Sequence, residues 1–292
     1  MKVSVIIPTC NGGNILVEAI KSLIEQQFSQ KWEIVLIDSE STDVSLSKIS
    51  TLISKNSIKL KVISINRKNF RHGTTRNQAI SQCSGEFIAL LTQDSIPTDK
   101  YWLQQLINGF DRDEVAGVFG EHKAHKCHPK IIDRDLRRHF HIMSQTKYRT
   151  SREWFASKQD LQKQQLLHFF SNNNSAIRKS VWNNFRFPPV DFGEDQTWAR
   201  FILEAGYSIK YQSSAKVYHS HKFGMLDTYK RAKTEKTYFR KYFGYKVYGK
   251  EKKKFFKFCN QIYSDTSYSI SKKEFPICYI ISKALGSLLA YG

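Results

Sequence analysis

The sequence predicts a three-layer α/β domain built around a mostly parallel sheet. In the first half of the chain, short β-branched apolar runs alternate with segments whose apolar residues recur at helical spacing. No linker rich in Pro, Gly or Ser interrupts this alternation. Strands separated by helices pair in parallel, because a parallel connection needs a long crossover. At 292 residues the chain is long enough for one main domain with an appendage.

The first unit begins with a predicted strand over residues 3–7 that ends in the polar loop 8–13. The helix after this loop has apolar residues at helical spacing, at Ile15, Ala19, Ile20, Leu23 and Ile24. The next predicted elements are a strand over 32–37, a turn over 38–43, a helix to about residue 54 and a strand over 60–65. After a connection over 69–77, a short helix through Cys83 leads to a strand over 87–91, and the sheet is predicted to end near Asp94.

The remainder of the chain is more basic. Residues 121–165 include five histidines and several arginines, and we expect a substrate-facing insertion there instead of a core element. The spacing of His122, His125, His128, His139 and His141 does not fit a zinc site, so acceptor contacts or plain surface are favoured. Between residues 229 and 258, lysines and arginines are interleaved with aromatic residues, and only Glu235 and Glu251 are acidic.

A net charge of +20 and a pI near 9.7 predict an anionic partner, which could be nucleic acid, an anionic membrane or a phosphorylated substrate. The basic aromatic tail is typical of an interfacial membrane anchor, although a solvated helix face or a nucleic-acid surface has similar composition. Five cysteines without a CxxC pair favour a reducing, cytosolic setting. The sequence contains no stretch of about eighteen apolar residues, so no membrane span is predicted.

Polar side chains follow three of the predicted strands. Thr9, Asp38 and Asp94 stand at the ends of the first, second and fourth strands, and the carboxyl ends of parallel strands meet at one crevice. A nucleotide would fit there, although Asp38 and Asp43 could also cap the following helix. No GxGxxG or Walker A sequence occurs, so hydride transfer and ATP hydrolysis are not supported. A divalent metal bound by Asp94, with His219 or His221, could neutralise a pyrophosphate instead.

The stretch FGEDQTW at 192–198 places two adjacent carboxylates behind a glycine and ahead of an amphipathic helix. Asp195 is therefore a candidate catalytic base. The alternative is an acid at a helix N-terminus that is stabilised by the helix dipole.

Together these motifs resemble the inverting family-2 glycosyltransferases over about residues 1–222. The resemblance rests on VIIPT (5–9), IDS (37–39), STD (41–43), RN (76–77), TQD (92–94) and GED (193–195). FRHGTTRN (70–77), LTQD (91–94), SNNNSAIR (171–178) and DFGEDQ (191–196) narrow it to bacterial rhamnosyltransferases of surface polysaccharide synthesis. Thr92 occupies the first acidic position of the broader family's Asp-x-Asp signature.

The resemblance implies an A-type glycosyltransferase fold and a role for each site residue. Thr9 and Asp38 would bind the nucleotide base and ribose, Arg76 would lie near the nucleotide, Asp94 and His219 would bind Mg²⁺ or Mn²⁺, and Asp195 would be the general base. The implied domains are 1–98 for the nucleotide, 99–222 for acceptor and catalysis, and 223–292 as a basic helical tail.

The implied reaction is transfer of L-rhamnose from dTDP-β-L-rhamnose to a lipid-linked glycan. The protein would lie peripherally on the cytoplasmic face of a bacterial plasma membrane. A UDP- or GDP-linked donor is the first alternative. A nucleic-acid-binding protein that uses the basic tail is the second, and the carboxylates argue against it, so no nucleic-acid partner is expected. A catalytically inactive sugar-nucleotide scaffold is a third.

Overall fold

The structure, a computed structural model, describes residues 2–244, 279, 281 and 282 of the chain. The first half alternates strands and helices as predicted. Its strands are β1 (Val3–Thr9), β2 (Trp32–Asp38), β3 (Lys59–Ser64) and β4 (Phe87–Leu91), and its helices are α1 (Gly13–Ile24), α2 (Ser45–Ile53) and α3 (His72–Ser81), with a 3₁₀ turn at Arg67–Asn69 before α3.

The second half continues the same sheet. Its strands are β5 (Ile96–Pro97), β6 (Val115–Lys123), β7 (Tyr148–Arg149), β8 (Asn174–Arg178) and β9 (Ser208–Tyr218). Its helices are α4 (Trp102–Ile107), α5 (Lys130–Ser144), α6 (Ser151–Ala156), α7 (Leu161–Leu167), α8 (Lys179–Asn184) and α9 (Glu194–Glu204).

Across the part of the chain that the structure describes, nine strands form one sheet in the order β3-β2-β1-β4-β8-β6-β9-β5, with β7 on β9. The pairs from β3 to β4 are parallel, and so is β6 with β9. The pairs that β8 makes with β4 and β6 are antiparallel, as are those that β5 and β7 make with β9. The sheet is thus parallel in its first half and mixed in its second.

Two apolar cores cover the two faces of this sheet. Alternate residues of each strand enter opposite cores, so Ile6 and Leu90 contribute to one while Val5 and Leu91 contribute to the other. Helices α1, α2 and α4 pack on one face, and α3, α5, α8 and α9 pack on the other. Burial on both faces explains the continuous apolar runs of the parallel strands. The predicted three-layer α/β class is confirmed.

Three expectations about the fold are wrong. The sheet does not end near Asp94, because β6, β8 and β9 extend it. Helix α3 begins at His72 instead of after Asn77. Residues 121–165 also contribute to the core, since Phe140 and Met143 of α5 are buried there. The polar residues of these segments obscured their structure: Asn174 in β8, for example, is fully buried because three hydrogen bonds satisfy its amide.

The chain divides into two compact units, residues 1–220 and 221–292. In the second unit the structure describes α10 (Met225–Phe243), which ends at Gly244 in the left-handed region. The predicted tail beyond residue 244 lies outside the described residues, apart from 279, 281 and 282. Within the described ranges, no helix is both long and apolar enough to span a bilayer.

Candidate active site

The ends of β1 and β2 bring Thr9 and Asp38 together. The two residues are register partners in the parallel pair, and Ser39 N donates to Thr9 O over 2.9 Å. Asp38 is buried, and its carboxylate accepts from Ser41 N at 3.0 Å and from Ser41 Oγ at 2.5 Å. Thr9 is also buried. The structure thus places both residues at the sheet edge where they are expected to bind a nucleotide.

Gln93, in the loop after β4, forms hydrogen bonds with residues at the carboxyl end of β1. Its Oε1 accepts from Thr9 Oγ1 at 3.0 Å and from Cys10 N at 2.9 Å. Sequence reasoning assigned this residue no role of its own. A glutamine between Thr92 and Asp94 gives no local signal, because its partners are more than eighty residues away.

The neighbouring loops are also fixed by side chains. Asp43 accepts from Gly13 N at 2.8 Å and from Ser45 N at 3.1 Å, so one carboxylate links the first residues of α1 and α2. The hydrogen bond from the Ser45 hydroxyl is the main cause that lowers the pKa of Asp43. This contact agrees with the capping role considered for Asp43.

Asp94 and His219 lie side by side because β5 pairs with the end of β9. Ile96 is the antiparallel register partner of Tyr218, so the segment before Ile96 and the segment after Tyr218 leave the two strands at the same place. His219 Nε2 lies 3.7 Å from Asp94 Oδ1. Asp94 and His219 thus each offer one potential metal-ligand atom. Of the two histidine alternatives, the structure thus places His219 beside Asp94 within the first unit.

Three histidines of the basic segment lie close to Asp94, His219 or Ser220. His125 Nε2 lies 3.2 Å from Asp94 O, and the rings of His122 and His219 are 5.2 Å apart. Ser220 Oγ accepts from His125 N at 3.0 Å and lies 2.6 Å from His128 Nδ1. In the described ranges, none of the five histidines of the segment belongs to a cluster of three potential metal ligands.

Asp195 is the second residue of α9, which starts after Gly193 in the left-handed region at φ 71°. Asp195 Oδ2 accepts from Asn172 N at 3.2 Å, and Oδ1 accepts from Gln196 N at 2.8 Å. Burial first, and then the charge of Glu194, raise the pKa of Asp195 to about 7. A carboxyl group that titrates near neutral pH is well suited to accept a proton from a hydroxyl.

Glu194 and Arg76 form a buried ion pair behind Asp195. Arg76 Nη1 donates to Glu194 Oε1 over 2.9 Å, and the two side chains are only 2% and 7% exposed. Asn172 Nδ2 donates to the same oxygen over 3.2 Å. The contact observed for Arg76 is therefore with Glu194, and its predicted place near the nucleotide stays a prediction. Sequence reasoning assigned no role to Glu194 or Asn172, although both stand in the motifs that carried the resemblance.

A largely parallel sheet with acidic side chains at its carboxyl end, and two adjacent carboxylates at the start of a nearby helix, matches the arrangement expected of a glycosyltransferase with the A-type fold. The chain belongs to glycosyl transferase family 2, whose family model matches residues 4–185.

Within this family, the chain is similar to two O-antigen chain rhamnosyltransferases. The O-antigen chain rhamnosyltransferase RfbN of Salmonella typhimurium is 31% identical over 236 residues, which cover 79% of this chain and 70% of that protein. The O-antigen chain rhamnosyltransferase WbaN of Salmonella anatum is 30% identical over 233 residues, which cover 78% and 69%.

A solved structure shares the fold. The mannosyltransferase PcManGT of Pyrobaculum calidifontis, in complex with GDP-Man and Mn²⁺, superposes with a TM-score of 0.66 over 98% of this chain and 87% of that one. Its sequence identity is 14%, so this similarity concerns the fold alone.

Proposed function

We propose that this glycosyltransferase transfers L-rhamnose from dTDP-β-L-rhamnose to a hydroxyl of a lipid-linked glycan, with inversion at the anomeric carbon. The observation that carries the proposal is Asp195, held by two backbone donors and with its pKa raised to about 7. The 31% identity to an O-antigen chain rhamnosyltransferase supports the choice of sugar and of acceptor class.

In this reaction Asp195 accepts the proton of the acceptor hydroxyl while the acceptor oxygen attacks the anomeric carbon. The bond from that carbon to the diphosphate oxygen breaks, and dTDP leaves with the electron pair on the opposite face. Backbone donors orient the Asp195 carboxylate without the conformational freedom of side-chain donors. General base catalysis of this kind typically contributes about 10²–10⁴-fold to the rate.

The nucleotide would lie at the ends of β1, β2 and β4. Thr9 and Asp38 are adjacent in register there and would contact the base and ribose. Asp94 would lie on the diphosphate side. Arg76 is kept as a residue near the nucleotide, although its Nη1 is engaged by Glu194.

The potential metal-ligand atoms of Asp94 and His219 fit a divalent metal. A carboxylate oxygen and an imidazole nitrogen lie 3.7 Å apart at Asp94 and His219, and such mixed oxygen and nitrogen ligands suit Mn²⁺ better than Mg²⁺. The structural neighbour from Pyrobaculum calidifontis was solved with Mn²⁺ and GDP-Man, which supports a metal with a nucleotide sugar. When bound, the ion supplies positive charge for the departing diphosphate.

The protein would bind peripherally to the cytoplasmic face of a bacterial plasma membrane. The basic face of α10 supports this location, because it would attract anionic lipid headgroups. Lys230, Lys233 and Lys241 are exposed on this helix. Each lysine near an anionic surface contributes about 1 kcal/mol of attraction.

Vesicle sedimentation tests this membrane association. Serine substitutions at Lys230, Lys233 and Lys241 are expected to weaken binding to phosphatidylglycerol vesicles, with phosphatidylcholine vesicles as the uncharged reference. Three exposed lysines of the first unit provide the matched control, at Lys31, Lys55 and Lys100. Equal binding by both triple variants would refute a specific role of α10.

The reaction is tested by nucleotide release from dTDP-, UDP- and GDP-sugars with a bacterial glycolipid extract and Mn²⁺ or Mg²⁺. We expect acceptor-dependent dTDP release from dTDP-rhamnose, lost in Asp195→Asn and on chelation. Asp191→Asn is the matched control, because Asp191 lies in the exposed loop before α9. Release from a UDP- or GDP-sugar alone would replace the donor. Silence with every donor, together with salt-dependent binding of DNA or RNA, would favour the nucleic-acid alternative.

A further inference from the structure

Arg76 and Glu194 form an ion pair that is almost completely shielded from water. Their side chains are 2% and 7% exposed, and the Nη1 to Oε1 distance is 2.9 Å. Removing two charges from water costs free energy that a buried pair recovers only with good geometry and further hydrogen bonds. Such a pair is weak support for stability by itself. Its place beside Asp195 suggests another role.

Asn172 contacts both carboxylates of the pair Glu194 and Asp195. Its side-chain Nδ2 donates to Glu194 Oε1 over 3.2 Å, while its backbone N donates to Asp195 Oδ2 over 3.2 Å. Glu194 Oε1 therefore receives donors from α3 and from the segment before β8 at once. This arrangement fixes the start of α9 against two other elements.

We propose that Arg76, Glu194 and Asn172 are positioning residues, which hold the Asp195 carboxylate in place to accept the acceptor proton. The inference rests on the proposed function, because it assigns these residues to the general base of that reaction. It also gives Arg76 a defined contact, with the Glu194 carboxylate next to the general base.

The electrostatic effects of the two charged partners on Asp195 are opposite. The negative charge of Glu194 raises the pKa of Asp195, and the positive charge of Arg76 lowers it. The other charged or titratable side chains on the elements packed against α9 are His72 of α3, Arg152 and Glu153 of α6, and Lys210, Tyr211, Lys216 and Tyr218 of β9. Of these, His72 contacts Arg76 through its backbone oxygen at 3.2 Å.

Opposite substitutions should therefore move the titration of Asp195 in opposite directions. Glu194→Gln removes a negative charge and is expected to lower the pKa of Asp195 by about one unit. Arg76→Gln removes a positive charge and is expected to raise it by about one unit. Arg76→Lys retains the charge, so its titration is expected to stay near that of the wild type. A purely structural role would not produce shifts of opposite sign.

The measurement is the carbon-13 carboxyl shift of Asp195 in the full-length chain, assigned with Asp195→Asn and followed across pH. The rate of dTDP release from dTDP-rhamnose is measured in parallel, where the loss is expected in kcat and not in the donor KM. An exposed ion pair on the same helix supplies the control: Arg200→Gln and Glu204→Gln break a pair 2.7 Å apart. Neither is expected to shift the titration of Asp195.

Circular dichroism identifies any variant that fails to fold. The double variant Arg76→Gln with Glu194→Gln keeps the test valid, since it leaves no unpaired buried charge and is expected to titrate near the wild type. Shifts of the same sign, or none, in the two single variants would overturn the positioning role. Opposite shifts in a chain that releases no dTDP from dTDP-rhamnose would support the network and refute the proposed donor.

Discussion

Gly73→Ala separates helix propensity from tertiary packing at the junction of α3 and α9. Gly73 is the second residue of α3. Alanine is favoured over glycine inside a helix by about 1 kcal/mol, so propensity alone predicts a more stable protein. A Cβ atom at this position would lie 2.4 Å from Pro188 O and 3.3 Å from the Glu194 Cβ atom.

The cost of the close contact is expected to exceed the gain in helix propensity. Real Cβ contacts are essentially never shorter than 3.0 Å, so the Pro188 carbonyl and α3 must separate by several tenths of an ångström. The obstacle is backbone, which no rotamer change can relieve. Overpacking of this kind costs about 1–3 kcal/mol, which exceeds the propensity gain. We expect the free energy of unfolding to fall by about 1 kcal/mol, and Tm by about 2–4 °C.

The same displacement should reduce activity. The added methyl group presses on Glu194, which is hydrogen-bonded to Arg76 and to Asn172. Since misplacement by about 1 Å can cost 10²-fold in rate, a shift of a few tenths is expected to lower kcat by about tenfold.

Thermal unfolding and nucleotide release measure the two effects in one preparation. Gly224→Ala is the matched control, because its φ is −66° and a Cβ there meets no atom within 4 Å. A Gly73→Ala protein that is more stable than the wild type and equally active would refute the reasoning, since propensity would then outweigh the contact.

Three further predictions concern the site and the core. Because a base must be ionised, kcat is expected to fall about tenfold per pH unit below 7, and the residual rate of Asp195→Asn should be flat in that range; a flat wild-type profile would contradict this. Asp94→Asn and His219→Ala should each weaken Mn²⁺ binding in calorimetry by at least about tenfold, and unchanged affinity would remove both from the metal site. Asn174→Ala loses three buried hydrogen bonds and should lower the free energy of unfolding in urea by about 2–4 kcal/mol, whereas a loss below about 0.5 kcal/mol would show that the amide is dispensable.

Hydrophobic periodicity predicts an element correctly where the element's own side chains determine its structure. The strands of the first half were predicted within two residues of their observed ends, because parallel strands buried on both faces are continuous apolar runs. The acids at the ends of such runs, Asp38 and Asp94, were placed at the sheet edge for the same reason. Asp195 was placed at a helix start by the glycine before it, which the structure shows at positive φ.

Hydrophobic periodicity does not predict an element correctly where its buried polar side chains form hydrogen bonds with residues far away in the sequence. Helix α3 contains Arg76 and Asn77, whose polarity favoured a loop. Their partners lie beyond residue 180: Arg76 binds Glu194, and Asn77 donates to Phe187 O over 2.8 Å. Strand β8 was missed in the same way, since the buried amide of Asn174 is bonded to Trp102, Glu121 and Ala215.

The fold class, and the prediction of acidic side chains at the carboxyl ends of the parallel strands, follow from the sequence alone, because both depend on periodicity and on the residue types at the end of each strand. Which of these side chains contact one another became known only from the folded chain. Arg76 and Glu194 are 118 residues apart, and Asp94 meets His219 only through the pairing of β5 with β9. An ion pair or ligand set of this kind leaves no local periodicity, since its energy comes from burial and geometry that exist only once the sheet has formed.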